Sequence, residues 1–261
     1  MTPVNEHYIL KKETLLMIQG STLFYPCSGN DLFVPIRIFS PFVTDFWFVD
    51  RAYFSPGHQD SRPYGYDAPA DKQAPLLQGD NDYQLIDTRI DGSVSWNPNC
   101  YDISPCILTE TYVHIPSKEK VIIHRRRGYG FSAFRKHIRS LGVFFYRGDS
   151  QGEGGSGNWW LAPDHVREVC KKLIDGGLIV TDGSQGKSRG EYHQFTKYRK
   201  EKFQSDPGEI LQSVQPFTDK EGRTFTCVGY AGDRYGPTLI WQIKKPTRKG
   251  TIRNVPKVTR R

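Results

Sequence analysis

Short apolar runs alternate with polar, glycine-rich connections along most of this chain. Leu23-Phe-Tyr25, Thr44 to Asp50, Leu141 to Tyr146 and Leu178 to Thr181 are almost uninterrupted, as strands covered on both faces are. Between them the spacing turns helical. Val166, Val169, Cys170, Leu173 and Ile174 make one stripe behind Pro163, which predicts a helix from Pro163 to Asp175 closed by Gly176-Gly177. Phe131, Phe134 and Ile138 predict another over Phe131 to Ser140, and Leu15, Leu16 and Ile18 a short one over Lys12 to Gln19. Pro35 suits the first position of a helix that ends near Ser40, and a charged helix is expected around Gln194 to Phe203. Thr109 to Ile115 and Lys120 to Arg126 are further strands, and Thr224 to Tyr230 with Thr238 to Lys244 reads as a hairpin.

Residues 54–107 break the pattern. Pro, Gly, Asp, Asn and Tyr dominate there, which predicts a loop-rich insertion with at most one strand near Tyr83 to Ile90. The remainder, residues 1–243, reads as one domain carrying that insertion. Its sequence of strand, polar loop, helix and strand around Leu141 to Thr181 is a βαβ unit, whose ligand site lies outside the carboxyl ends of the strands.

Composition narrows the class. With 37% hydrophobic and 13% aromatic residues the 261-residue chain has enough apolar surface for a globular core. It shows no signal-peptide pattern and no apolar run long enough for a membrane span, so a cytoplasmic protein is expected. The five cysteines lack CxxC pairs and imply neither a disulfide framework nor a zinc knuckle. The net charge of +8 equals the eight cations from Lys244 to Arg261, a stretch without acids. The basicity therefore belongs to a tail, 244–261, and the rest balances to zero.

Three strands end in aspartate: Asp50, Asp149 and Asp182. If those strands run in parallel, their carboxylates share one edge. The loop after Tyr146 adds Glu153, Gly154 and Gly155 within Gly152-Glu-Gly-Gly-Ser-Gly157, dense enough in glycine for its backbone to approach a ligand. Trp159 and Trp160 offer a stacking floor, or core packing. Histidines 58, 114, 124, 137, 165 and 193 show no metal or catalytic spacing, and Cys27 has no identifiable base.

The order of these elements resembles the class I S-adenosylmethionine-dependent methyltransferases over about residues 21–50 and 120–244. The resemblance implies a Rossmann-like α/β fold: a mostly parallel sheet with crossover helices, ending in an antiparallel hairpin. It also implies that Tyr25, Ser28, Gly29 and Asp31 lie at the cofactor's methionine end and that Asp50 takes its ribose. Asp149 and Glu153 would then face the methyl acceptor, beside Gly154 and Gly155. The 21 residues from Gly29 to Asp50 suit a glycine turn followed by a ribose-binding acid. The first loop has one glycine where that family has several, and Arg147-Gly-Asp-Ser150 is not the tetrad of amino-group methyltransferases.

Two other readings stand beside it. Asp50, Asp149, Glu153 and Asp182 can hold Mg²⁺ in a phosphate-handling enzyme. Alternatively the chain is a non-catalytic, methyltransferase-like scaffold that serves as a nucleic-acid or protein adaptor, meeting nucleic acid through Arg125, Arg126, Arg127 and the basic tail.

Overall fold

Burial decides which of the apolar runs stand side by side. The computed structural model describes residues 8–54, 68–94, 104–149, 159–184, 190–198, 206–234 and 236–246. In chain order these form β1 (Tyr8–Leu10), α1 (Lys12–Leu16), β2 (Ser21–Pro26), α2 (Phe33–Phe39), β3 (Val43–Asp50), β4 (Tyr83–Gly92), β5 (Cys106–His114) and β6 (Lys120–Arg127). Then follow α3 (Gly130–His137), β7 (Leu141–Tyr146), α4 (Pro163–Lys172), β8 (Leu173–Thr181), α5 (Gln194–Lys197), α6 (Pro207–Ser213), β9 (Phe217–Thr218), β10 (Thr224–Asp233) and β11 (Pro237–Lys244).

All eleven strands join one sheet in the order β1-β10-β11-β8-β7-β2-β3-β6-β5-β4, with β9 also on β10. The expectation of a mostly parallel, Rossmann-like α/β sheet is overturned. Six pairings are antiparallel (β1·β10, β10·β11, β9·β10, β8·β11, β4·β5, β5·β6) and four are parallel (β2·β3, β2·β7, β3·β6, β7·β8). Parallel pairing is confined to the five middle strands, where the chain returns in the same direction through α2, α3 and α4 and, between β3 and β6, through the β4–β5 excursion. The supposed insertion explains much of the difference. Its later part forms β4 and the start of β5, which extend the sheet by antiparallel pairing beyond β6.

Alternation along the middle strands builds two cores. Leu23, Tyr25, Phe46, Phe48, Val143 and Phe145 face α1 and α2, whereas Phe24, Trp47, Val49, Phe144 and Tyr146 face α3 and α4. The stripe read on α4 is the one that packs: Val166, Val169 and Cys170 are buried. At about 1.5–3 kcal/mol for each fully buried large apolar side chain, this face holds the helix to the sheet. The close approach of α3 to β2 needs Gly130, since a Cβ there would lie 2.9 Å from the Trp160 ring and 3.0 Å from Pro26.

Other boundaries shift for local reasons. Gly176-Gly177 does not end α4; the helix stops at Lys172 and the glycines sit inside β8, where its register against β7 slips. Glycine within a strand marks such an irregularity. Pro35 is the third residue of α2 rather than the first. The charged helix expected to Phe203 is described only over Gln194–Lys197.

Candidate functional site

The five middle strands wind outwards from β2. The chain steps from β2 through α2 to β3 on one side, then returns through α3 to β7 on the other. Crossovers diverge at this point, which is where an open sheet leaves room for a ligand outside the carboxyl ends of its strands. The ends of β3, β2, β7 and β8 bring Asp50, the loop from Cys27 to Asp31, the turn from Arg147 to Asp149, and Asp182 to one edge.

Most of the polar groups at that edge are turned inwards. Arg147 donates from Nε to Asp31 Oδ2 at 2.6 Å and from Nη2 to Asp31 Oδ1 at 2.8 Å, a two-pronged ion pair 116 residues apart in sequence. Its Nη1 reaches the Ala231 carbonyl of β10 at 2.7 Å. The Tyr25 hydroxyl stands 2.9 Å from both Asp31 Oδ2 and the Arg147 carbonyl. Burial, with Asp31 next to it, pushes the Tyr25 phenol well above its ordinary range. These groups clasp β2 to β7 and β10. Tyr25 and Asp31, expected at a cofactor's methionine end, are 1% and 8% exposed and belong to this clasp.

Ser28 is also structural. Its backbone N–H donates to Val49 at 3.2 Å and its hydroxyl lies 2.7 Å from that of Tyr53, which in turn donates to the Gly29 carbonyl at 2.8 Å. Asp182 accepts from the N–H groups of Gly148 at 2.9 Å and Ser184 at 2.8 Å, and from the Ser184 hydroxyl. The Tyr146 hydroxyl donates to Asp149 Oδ2 at 2.8 Å.

Asp50 differs from all of these. It is part-exposed, and its Oδ2 accepts from Gly29 N–H at 3.1 Å while Oδ1 accepts from Ala52 N–H at 2.9 Å. A carboxylate has about four acceptor positions, so each oxygen retains one. Burial of the carboxyl group raises its pKa; the two N–H bonds pull it down, Asp149 pushes it up, and the net direction is upward.

Glu153, Gly154 and Gly155 lie outside the described residues, as does the tail beyond Pro246. Trp160 stacks on Phe131 at 4.0 Å between centroids and is core, while Trp159 is exposed. Arg125, Arg126 and Arg127 offer no solvent-facing basic surface: all three are at least 95% buried, because β6 is an inner strand. Arg125 reaches Glu110 at 3.3 Å, and Arg127 donates to the carbonyls of Phe54, Ser93 and Ser104. Among the described residues no three His, Cys, Asp or Glu side chains are grouped to hold a metal ion. No helix among them is long and apolar enough to cross a membrane.

Sequence reasoning passed over Arg147 and Tyr53. The sequence does carry a signal for Arg147, a lone cation directly after the apolar run Leu141 to Tyr146.

No protein-family model, curated protein or solved structure matches this chain. The functional reading therefore rests on the geometry of this edge.

Proposed function

We propose that the protein binds a small molecule joining a positive charge to neighbouring hydroxyls, with S-adenosylmethionine as the leading ligand, where β2, β3 and β7 end. The observation that carries the reading is Asp50. Its carboxylate is held rigidly by two backbone N–H groups and keeps one acceptor position on each oxygen, the arrangement that two vicinal ribose hydroxyls require. Asp149 adds a second acid beside Asp50, offset in part by Arg51. The Asp31–Arg147 clasp contributes rigidity: it holds the two loops at this edge in place without using the groups that would meet the ligand. The sheet is not the mostly parallel one expected, and methyl transfer is not part of this proposal.

Isothermal titration calorimetry with S-adenosylmethionine and with S-adenosylhomocysteine tests this. Both should bind, the sulfonium compound more tightly, and Asp50→Asn should weaken it roughly tenfold or more. Absence of heat with both compounds would sink the reading.

A further inference from the structure

Arg126 is 2% exposed, and its single hydrogen bond among the described residues is a long one, 3.4 Å from Nη1 to the Tyr129 carbonyl. Its Nε meets no acceptor. Burying a guanidinium with neither a carboxylate nor a full set of acceptors is costly, so proteins rarely leave one in this state. A second unpaired nitrogen lies in the same region. The Nε2 of His137, at the end of α3, is buried without a partner.

Strand register explains why the two groups share a region. Arg126 stands opposite Val49 and His124 opposite Trp47, all on the face of the sheet that α3 covers. The Trp47 ring is sandwiched between His124 at 4.0 Å and His137 at 4.7 Å. The carboxylate on this face of β3, Asp45, accepts through Oδ2 from Trp47 Nε1 at 3.2 Å and from the Thr22 hydroxyl at 3.1 Å, while its Oδ1 lies 3.1 Å from His124 Nε2 without a hydrogen bond. The other charges around are positive. Arg51 lies over the Tyr129 ring at 5.1 Å, and Lys136 precedes His137 on α3. Burial, then Arg126, then Lys136 and His124 hold the His137 imidazole down to about 4.

We propose that Arg126 Nε and His137 Nε2, where β6 faces α3, receive an oxyanion group, phosphate or carboxylate. An oxyanion supplies acceptors to both nitrogens and the negative charge that the described residues withhold. The inference is independent of the Asp50 reading and uses none of its residues.

Thermal unfolding of the whole chain in inorganic phosphate, against chloride of equal ionic strength, tests the site. Phosphate at a hundredfold excess over Kd should raise Tm by roughly 5–10 °C. Arg126→Met should abolish that rise and should itself raise Tm in phosphate-free buffer, because it removes an uncompensated buried charge. Acetate in a parallel series separates the two ligand chemistries; a response to acetate alone assigns a carboxylate, and a larger response to phosphate assigns a phosphoryl group. Nitrogen-detected NMR of the unmodified protein gives a second measure: the Arg126 Nε–H signal should shift saturably, and His137 should titrate closer to its ordinary range. No response to either anion, or an equal response in Arg126→Met, overturns the proposal. So does a fall in the stability of Arg126→Met without phosphate, which would mean that a carboxylate elsewhere in the chain already holds the guanidinium.

Discussion

The wing formed by β9 and β10 and the region where β3 and β6 end both bury charge, and they treat it in opposite ways. In the wing, Asp219 accepts from Arg223 Nε at 2.6 Å, from the Arg223 N–H at 2.9 Å and from the Tyr192 hydroxyl at 3.0 Å. Burial alone would raise the Asp219 carboxyl; these bonds outweigh it and hold the pKa below its ordinary value. At the ends of β3 and β6, burial wins instead. Asp50 is pushed up, and Arg126 is pushed down with no opposing cause. A buried charge that is fully answered acts as scaffold. One left partly unanswered points to something that arrives from outside the described residues.

Removing an answered partner should have the largest effect. Arg223→Met strands Asp219, and Arg147→Met strands Asp31; each should cost about 3–5 kcal/mol in urea unfolding. A loss as small as that of a surface substitution in either variant would erase the contrast with Arg126.

The two acids should next separate by pH. Asp219 has a depressed folded pKa, so its stabilising contribution is present above the ordinary carboxylate range and is lost as pH falls through the folded value. Asp50 has a raised folded pKa, so the folded state holds its proton longer. Stability from this group declines as pH climbs from the ordinary value to the folded one. Acid unfolding of Asp219→Asn should therefore be shallower than that of the parent chain, whereas Asp50→Asn should lose a term of the opposite sign. Parallel changes in the two variants would refute the distinction. The smallest effect belongs to Arg89→Ala, whose ion pair with Asp91 is solvent-exposed; its unfolding midpoint should coincide with that of the parent chain.

Several elements were legible because they depend on local pattern. The α4 stripe, the apolar runs of β3 and β7, and the β10–β11 hairpin each occur close to where periodicity puts them. The convergence of strand ends was half legible. Asp50 and Asp182 could be read as strand-end acids, but which acid was answered and which was open could not. Asp31 looked like a ligand-binding residue until Arg147, 116 positions away, took both of its oxygens. Arg125, Arg126 and Arg127 looked like a charged edge because three consecutive cations rarely lie inside. They are inside because β6 is an inner strand covered on both faces: Arg126 lies under α3, while Arg125 and Arg127 meet Gln73, Ala74, Glu110, Phe54, Ser93 and Ser104.

By itself, then, the sequence determined where strands and helices form and which side of each is apolar, since these follow from side-chain period and turn chemistry over a few residues. The tertiary structure alone decided how β1, β4 and β5 pair, the partner of each buried charge and the identity of the open acid. Those choices depend on pairings between residues far apart in the chain. In a low-dielectric interior, the group that a charge meets counts for more than the residue type that bears it.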